Sequence, residues 1–191
     1  MTIGILAVQG AFIEHERMLE SLGVSCRQLR QKSDLSGLDG VVLPGGESTV
    51  QNKLLRELDM LDPLRDMIKG GLPVLATCAG LILLAEHISN DPAVCLGTMP
   101  VTVRRNAYGR QTGSFMKEAP FEGVGDVNMI FIRAPYIEEA GKGVQVLARV
   151  DGRISAARFG SQLGISFHPE LGGDTRIHQY FLQMVKGRKQ N

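Results

Sequence analysis

Charge of one sign, paired cysteines and long apolar runs are all missing from this chain of 191 residues. Twenty-one Lys and Arg against 20 Asp and Glu leave a net charge of +1. The basic residues are scattered, with Arg104-Arg105 and the tail Lys186-Gly187-Arg188-Lys189 as the tight groupings. A nucleic-acid binder concentrates its basic residues on one face, so none is expected here as a partner. Cysteine is limited to Cys26, Cys78 and Cys95, an odd count without CxxC spacing, which points to a reducing, cytoplasmic setting. No apolar run nears 18 residues and no charged-then-apolar leader opens the chain, so neither membrane nor secretion is expected. What remains, 43% hydrophobic and 21% charged, is the composition of a globular domain. Repeats, low complexity and an evident linker are also absent, and residues 1–191 read as one domain.

The first half alternates strand and helix signals. Residues 2–8 read as a strand, and Phe12, His15, Met18, Leu19 and Leu22 then fall at helical spacing, closed by Gly23. Further strands are predicted over 24–29, 40–43 and 73–77, with helices over 50–58 and 61–68. Wholly apolar runs such as Val41-Val42-Leu43 suit parallel strands covered on both faces. After about residue 90 the pieces shorten, with strands predicted over 98–104, 113–116, 127–133, 144–150, 154–159 and 162–167. Asp151-Gly152 is a hairpin signal between two of them. A last helix over 174–185 carries Ile177, Phe181 and Val185 on one stripe. The expected fold is therefore α/β: a mostly parallel central sheet flanked by helices, with an antiparallel extension. In such sheets ligands bind beyond the carboxyl ends of the strands, where Gln9-Gly10, Pro44-Gly45-Gly46-Glu47-Ser48, Cys78 and the residues after Phe167 all fall.

Cys78 stands where an apolar strand turns into an apolar helix through Ala76, Ala79 and Gly80. A nucleophile on a sharp strand-to-helix turn needs small neighbours, and a cysteine opening a helix gains from the unsatisfied N–H groups there. A buried core thiol fits this segment equally well. His168-Pro169-Glu170 follows the strand ending at Phe167. Proline holds the preceding residue extended, and side chains two apart in an extended segment share a face, so Glu170 is expected to orient the His168 ring. This is the base and orienter of a nucleophilic triad in minimal form. A metal site is disfavoured, because the Pro-Cys-x-x-Cys segment that completes a zinc deaminase is missing and His15, His87 and His178 show no ligand spacing. The Gly45-Gly46 pair is expected to adopt positive φ and turn an N–H toward a ligand. Together with the N–H of Ala79, that of Gly46 would form an oxyanion hole, whereas a plain tight turn is the alternative. No lysine follows, so the loop is not a phosphate-binding one.

These motifs together resemble those of the class I glutamine amidotransferases, which have a flavodoxin-like fold: Thr77-Cys78-Ala79-Gly80, Pro44-Gly45-Gly46-Glu47-Ser48 and His168-Pro169-Glu170. Within that class the first loop, residues 7–12, the segment 104–111 and Phe131-Ile132-Arg133-Ala134-Pro135 resemble the glutaminase subunits of pyridoxal 5'-phosphate synthase. The resemblance implies hydrolysis of L-glutamine to glutamate and ammonia, no cofactor, and a synthase subunit as the partner that consumes the ammonia. It assigns Cys78 as nucleophile, His168 as base and acid, and Glu170 as orienter. Gly46, Glu47, Ser48, Arg105, Ile132 and Arg133 would bind glutamine, with Glu47 on the ammonium and Arg105 or Arg133 on the carboxylate. Activity that depends on the partner through rearrangement of the Gly45-Gly46 peptide is also implied. One residue departs from the family pattern, Ala76 standing where glycine is usual, and a slight shift of the elbow is expected. Other readings are a glutaminase serving another acceptor, a cysteine peptidase or acyl hydrolase, and a non-catalytic binding subunit.

Overall fold

A computed structural model describes residues 1–105 and 113–188. Residues 106–111 of the segment that bears on the subgroup lie outside the described residues, as does Lys189 of the basic tail. The first half runs β1 (Thr2–Leu6), α1 (Phe12–Ser21), β2 (Ser25–Leu29), β3 (Gly40–Leu43), α2 (Ser48–Glu57), α3 (Leu61–Lys69), β4 (Val74–Thr77) and α4 (Ala79–Leu84). It continues through β5 (Ala85–Ile88), β6 (Met99–Arg104), β7 (Ser114–Phe121), β8 (Gly125–Ile132), β9 (Tyr136–Ala140), β10 (Gln145–Val150), β11 (Arg153–Phe159) and β12 (Gln162–Ile165) to α5 (Arg176–Arg188).

The main path of the sheet is β2-β1-β3-β4-β12-β11-β10-β7-β8. The five strands from β2 to β12 are parallel, in the 2-1-3-4-5 order of flavodoxin-like folds, and from β11 onward the neighbours are antiparallel. All four residues of β3, β4 and β12 are buried, as their apolar runs require. Alternation along the strands divides that burial between two cores. Val41, Leu43, Val74 and Ala76 pack with Leu55, Leu64, Ile68 and Leu81 of α2, α3 and α4. Ile3, Ile5, Val42 and Leu75 pack with Leu19 of α1 and Ile177, Phe181 and Val185 of α5. Because these strands run parallel, the carboxyl ends of β1, β3, β4 and β12 lie along one rim.

The Asp151-Gly152 signal proves to be a hairpin turn between β10 and β11, with φ of 50° and 78°. Two positive φ values in a row match the right-handed twist of the flanking strands. Two strands escape the sequence pattern: β5 continues directly from the apolar helix α4, and β9 is five residues of mixed burial held between β6 and β11.

Candidate active site

Cys78 lies between β4 and α4 with φ 48° and ψ −101°, a conformation that costs a non-glycine residue about 1–3 kcal/mol. Its N–H donates to the carbonyl of Ile165 at 2.8 Å, fastening the elbow to β12. The small flanking residues have a visible reason. A Cβ on Gly80 would stand 2.1 Å from the carbonyl oxygen of Leu43, so the chain can double back against β3 only with glycine there. Ala76 sits fully buried inside β4, paired with Leu43 on one side and Gly164 on the other. Ala79 opens α4, where an N–H has no partner within its own helix.

His168 is fixed by its own N–H, which donates to Ile130 of β8 at 2.8 Å. Its Nδ1 lies 2.7 Å from Oε1 of Glu170, as expected, but the route differs from the extended one. Residues Pro169–Leu171 form a short 3-10 helix, with Pro169 at its first position. The turn folds the carboxylate back onto the ring, and proline there is pre-set for a helical start rather than for continued extension. Burial alone would depress the His168 imidazole; its hydrogen bonds and charge interactions with Cys78 and Glu170 outweigh that and raise it to about 10. For Glu170, burial pushes the carboxyl up, and the nearby His15 together with the hydrogen bond and charge of His168 bring it below its usual range.

Gly45 and Gly46 both have negative φ, so the expectation of a left-handed turn is not met. Their glycine character is a matter of space. A Cβ on Gly45 would lie 2.3 Å from Cε1 of His168, and one on Gly46 would lie 2.4 Å from Oε1 of Gln9. The left-handed residue is instead Gly10, at φ 105°, where a Cβ would meet the Gly45 carbonyl at 2.0 Å. That carbonyl accepts the N–H of Ala11 at 3.0 Å. The Gln9 side-chain oxygen accepts the Glu47 N–H at 2.8 Å, and Gln51 donates to the carbonyls of Gln9 and Pro44 at 3.0 and 3.2 Å.

One cleft of about 870 Å³ opens along this rim, within the usual range for a small-molecule site. Its walls include Cys78, Ala79 and His168 together with Gly46, Glu47, Ser48, Arg105, Ile132 and Arg133. Glu170 is buried behind His168, its side chain fully covered. Arg105 is held by protein groups: Asp91 at 2.5 Å, Thr49 at 3.0 Å, Glu47 at 3.5 Å and the Ser48 hydroxyl. Glu47 caps α2 by accepting the N–H groups of Thr49 and Val50. Arg133 is exposed, at positive φ, with its N–H on the Gly113 carbonyl at 2.7 Å. Sequence reasoning missed Asp91 and Gln51, whose roles depend on contacts across loops. It also read His15 as a core position; a histidine on an apolar helical stripe was the available signal.

The model of the SNO glutamine amidotransferase family matches residues 5–187. The "Pyridoxal 5'-phosphate synthase subunit PdxT" of Desulfitobacterium hafniense (strain DSM 10664 / DCB-2) is 60% identical over 190 residues, covering 99% of this chain and 96% of that protein. The protein of the same name from Methanocorpusculum labreanum is 58% identical over 188 residues, covering 98% of this chain and 99% of its own length. A solved structure titled "Crystal structure of glutamine amidotransferase" superposes with a TM-score of 0.93 at 43% identity, covering 96% of this chain and 98% of that one. With a family model matching nearly its whole length, the chain belongs to the SNO glutamine amidotransferase family.

Proposed function

We propose that the chain is a single glutaminase domain that hydrolyses L-glutamine through Cys78, His168 and Glu170 and passes the ammonia to a pyridoxal 5'-phosphate synthase subunit. The observation that carries this reading is the strained Cys78 elbow on the same cleft as a His168 ring whose far nitrogen is bound by a buried carboxylate. The names of the relatives support the choice of partner. Free thiols at Cys26, Cys78 and Cys95 suit the cytoplasm.

In this scheme the Cys78 sulfur attacks the side-chain amide carbon of glutamine, forming a C–S bond and a tetrahedral oxyanion. The N–H groups of Gly46 and Ala79 hold that oxygen, each such donor being worth about 2.7–4 kcal/mol. The His168 imidazolium gives its proton to the amide nitrogen, the C–N bond breaks and ammonia leaves. Water, deprotonated by the now neutral ring, attacks the thioester carbonyl, and glutamate leaves as the C–S bond breaks and the thiolate and imidazolium are restored. Glu47 meets the α-ammonium, and Arg133, exposed at the cleft wall, meets the α-carboxylate. Arg105 keeps the Glu47-Ser48-Thr49 turn in place and completes the pocket with Ile132.

The test is ammonia release from glutamine by the chain mixed with the synthase subunit. Wild type is expected to turn over and Cys78→Ala to fall to background; equal rates would remove Cys78 from the reaction.

A further inference from the structure

The scheme above uses one oxygen of Glu170, and the other leads into the protein. His15 on α1 and His178 on α5 are both completely buried. Nε2 of His15 lies 3.3 Å from Oε2 of Glu170 and 3.2 Å from the hydroxyl of Thr77, the residue before the nucleophile. Its Nδ1 lies 2.9 Å from Nε2 of His178. Among the described residues, no aligned hydrogen bond reaches Oε2 of Glu170 and Nδ1 of His178 has no partner. The approach of His15 is therefore what stands opposite that oxygen.

Burial depresses both rings, His178 to about 3 with a further push from His15, and His15 below its ordinary range against the opposing pull of Glu170 and Glu14. His168 also disfavours a charge on His15. Two neutral imidazoles in contact share one proton, which leaves two arrangements. If His15 donates from Nδ1 to His178, its Nε2 lone pair faces the carboxylate, and His178 keeps an N–H buried without an acceptor. If His178 donates to Nδ1 of His15, the His15 proton sits on Nε2 and faces Oε2. In the second arrangement the Nε2–H donates to the Thr77 hydroxyl while lying 3.3 Å from Oε2, so the ionised group faces an N–H rather than a lone pair, and on His178 only a lone pair is unmet. An unmet partner of a buried charge is the more costly failure.

We propose that His178 fixes the tautomer of His15, and that the His15 Nε2–H, anchored on the Thr77 hydroxyl, stands against the outer oxygen of Glu170 and steadies it electrostatically, making this pair the positioning support of the catalytic carboxylate. His15 touches neither substrate nor sulfur and acts through Glu170. The proposal rests on the triad reading, but its first readout needs no turnover, so its failure is distinguishable from that of the triad.

The experiment uses the chain in complex with the synthase subunit, with His15→Gln, His15→Asn, His15→Leu and His178→Leu. Glutamine can place an N–H near the position of Nε2, and asparagine reaches only that of Nδ1. In histidine-labelled protein the His168 titration is expected to fall from about 10 in His15→Leu and His15→Asn and to stay near it in His15→Gln. For the first two, kcat should drop roughly 10- to 100-fold with KM for glutamine little changed, as for other supports of a functional ligand. His15→Gln should recover most of that loss, and His178→Leu should show a smaller one. If His15→Leu does not fold, the comparison of glutamine with asparagine decides. Equal His168 titrations and equal kcat in those two variants would overturn the proposal, as would a wild-type titration in His15→Leu.

Discussion

His168 and Glu170 meet at 2.7 Å across a single turn of 3-10 helix, so the carboxylate that steadies the imidazole is delivered by the residue next but one in the chain. Such closeness makes the pair sensitive to charge rather than to shape. Glu170→Gln keeps the size of the side chain and removes the negative charge opposite Nδ1. Loss of the orienting charge is expected to lower kcat by about 10²- to 10⁴-fold with little change in fold. Steady-state ammonia release beside a circular dichroism spectrum checks it.

The raised imidazole gives a pH dependence with a definite sign. The folded-state value of about 10 lies above the ordinary 6.5, so protonated His168 stabilises the fold fully below pH 6.5, and this contribution fades as pH rises to about 10. In Cys78→Ala the sulfur that helps raise the ring is gone. Its titration should move down, and the stability difference between pH 6 and pH 10 should shrink relative to wild type. Histidine NMR and urea melts at the two pH values measure both.

Gly45→Ala places a methyl group where Cε1 of His168 now stands, only 2.3 Å away. The imidazole must move, and misplacement of a catalytic group by about 1 Å costs on the order of 10²-fold in rate. Activity should fall far more than stability, as turnover and a thermal melt of the same sample would register.

Gly80→Ala reverses that balance. Its methyl group would meet the Leu43 backbone carbonyl at 2.1 Å, and neither strand nor elbow can rotate away as a side chain would. A loss of about 1–3 kcal/mol in unfolding free energy is expected from the overpacking, read by denaturant titration.

The two arginines at the cleft should separate kinetically. Arg133→Ala removes the exposed cation of the cleft wall; with Arg133 on the α-carboxylate as proposed, in ground and transition state alike, KM should rise with kcat nearly kept. Arg105→Ala releases Asp91 and loosens the turn that holds Glu47 and Ser48, so both constants should worsen. Initial rates over a range of glutamine concentrations distinguish the two patterns.

Much of this was legible in the chain itself. Val41-Val42-Leu43 and Val74-Leu75-Ala76 announced buried parallel strands because both sheet faces are covered, and small residues beside Cys78 announced the elbow because backbone meets backbone there. The glycine pair was visible, but its cause was not: whether Gly45 answers to φ or to space depends on His168, far along the chain. The 3-10 turn at Pro169 was misread because proline is compatible with both a helical start and an extended stretch. His15 and His178, 163 residues apart, gave no joint signal at all. Pairs that meet only through tertiary packing leave no spacing to read.

Gly10 rests on the carbonyl of Gly45, and Gly45 rests on the His168 ring, with no room for a Cβ at either contact. The first joint is backbone on backbone and has no rotamer to shift; at the second, the imidazole is the part that can yield. A displacement of the loop after β1 therefore bears, through the Gly45 peptide, on the imidazole. Whatever bears on that loop from outside has its hand on the His168 ring.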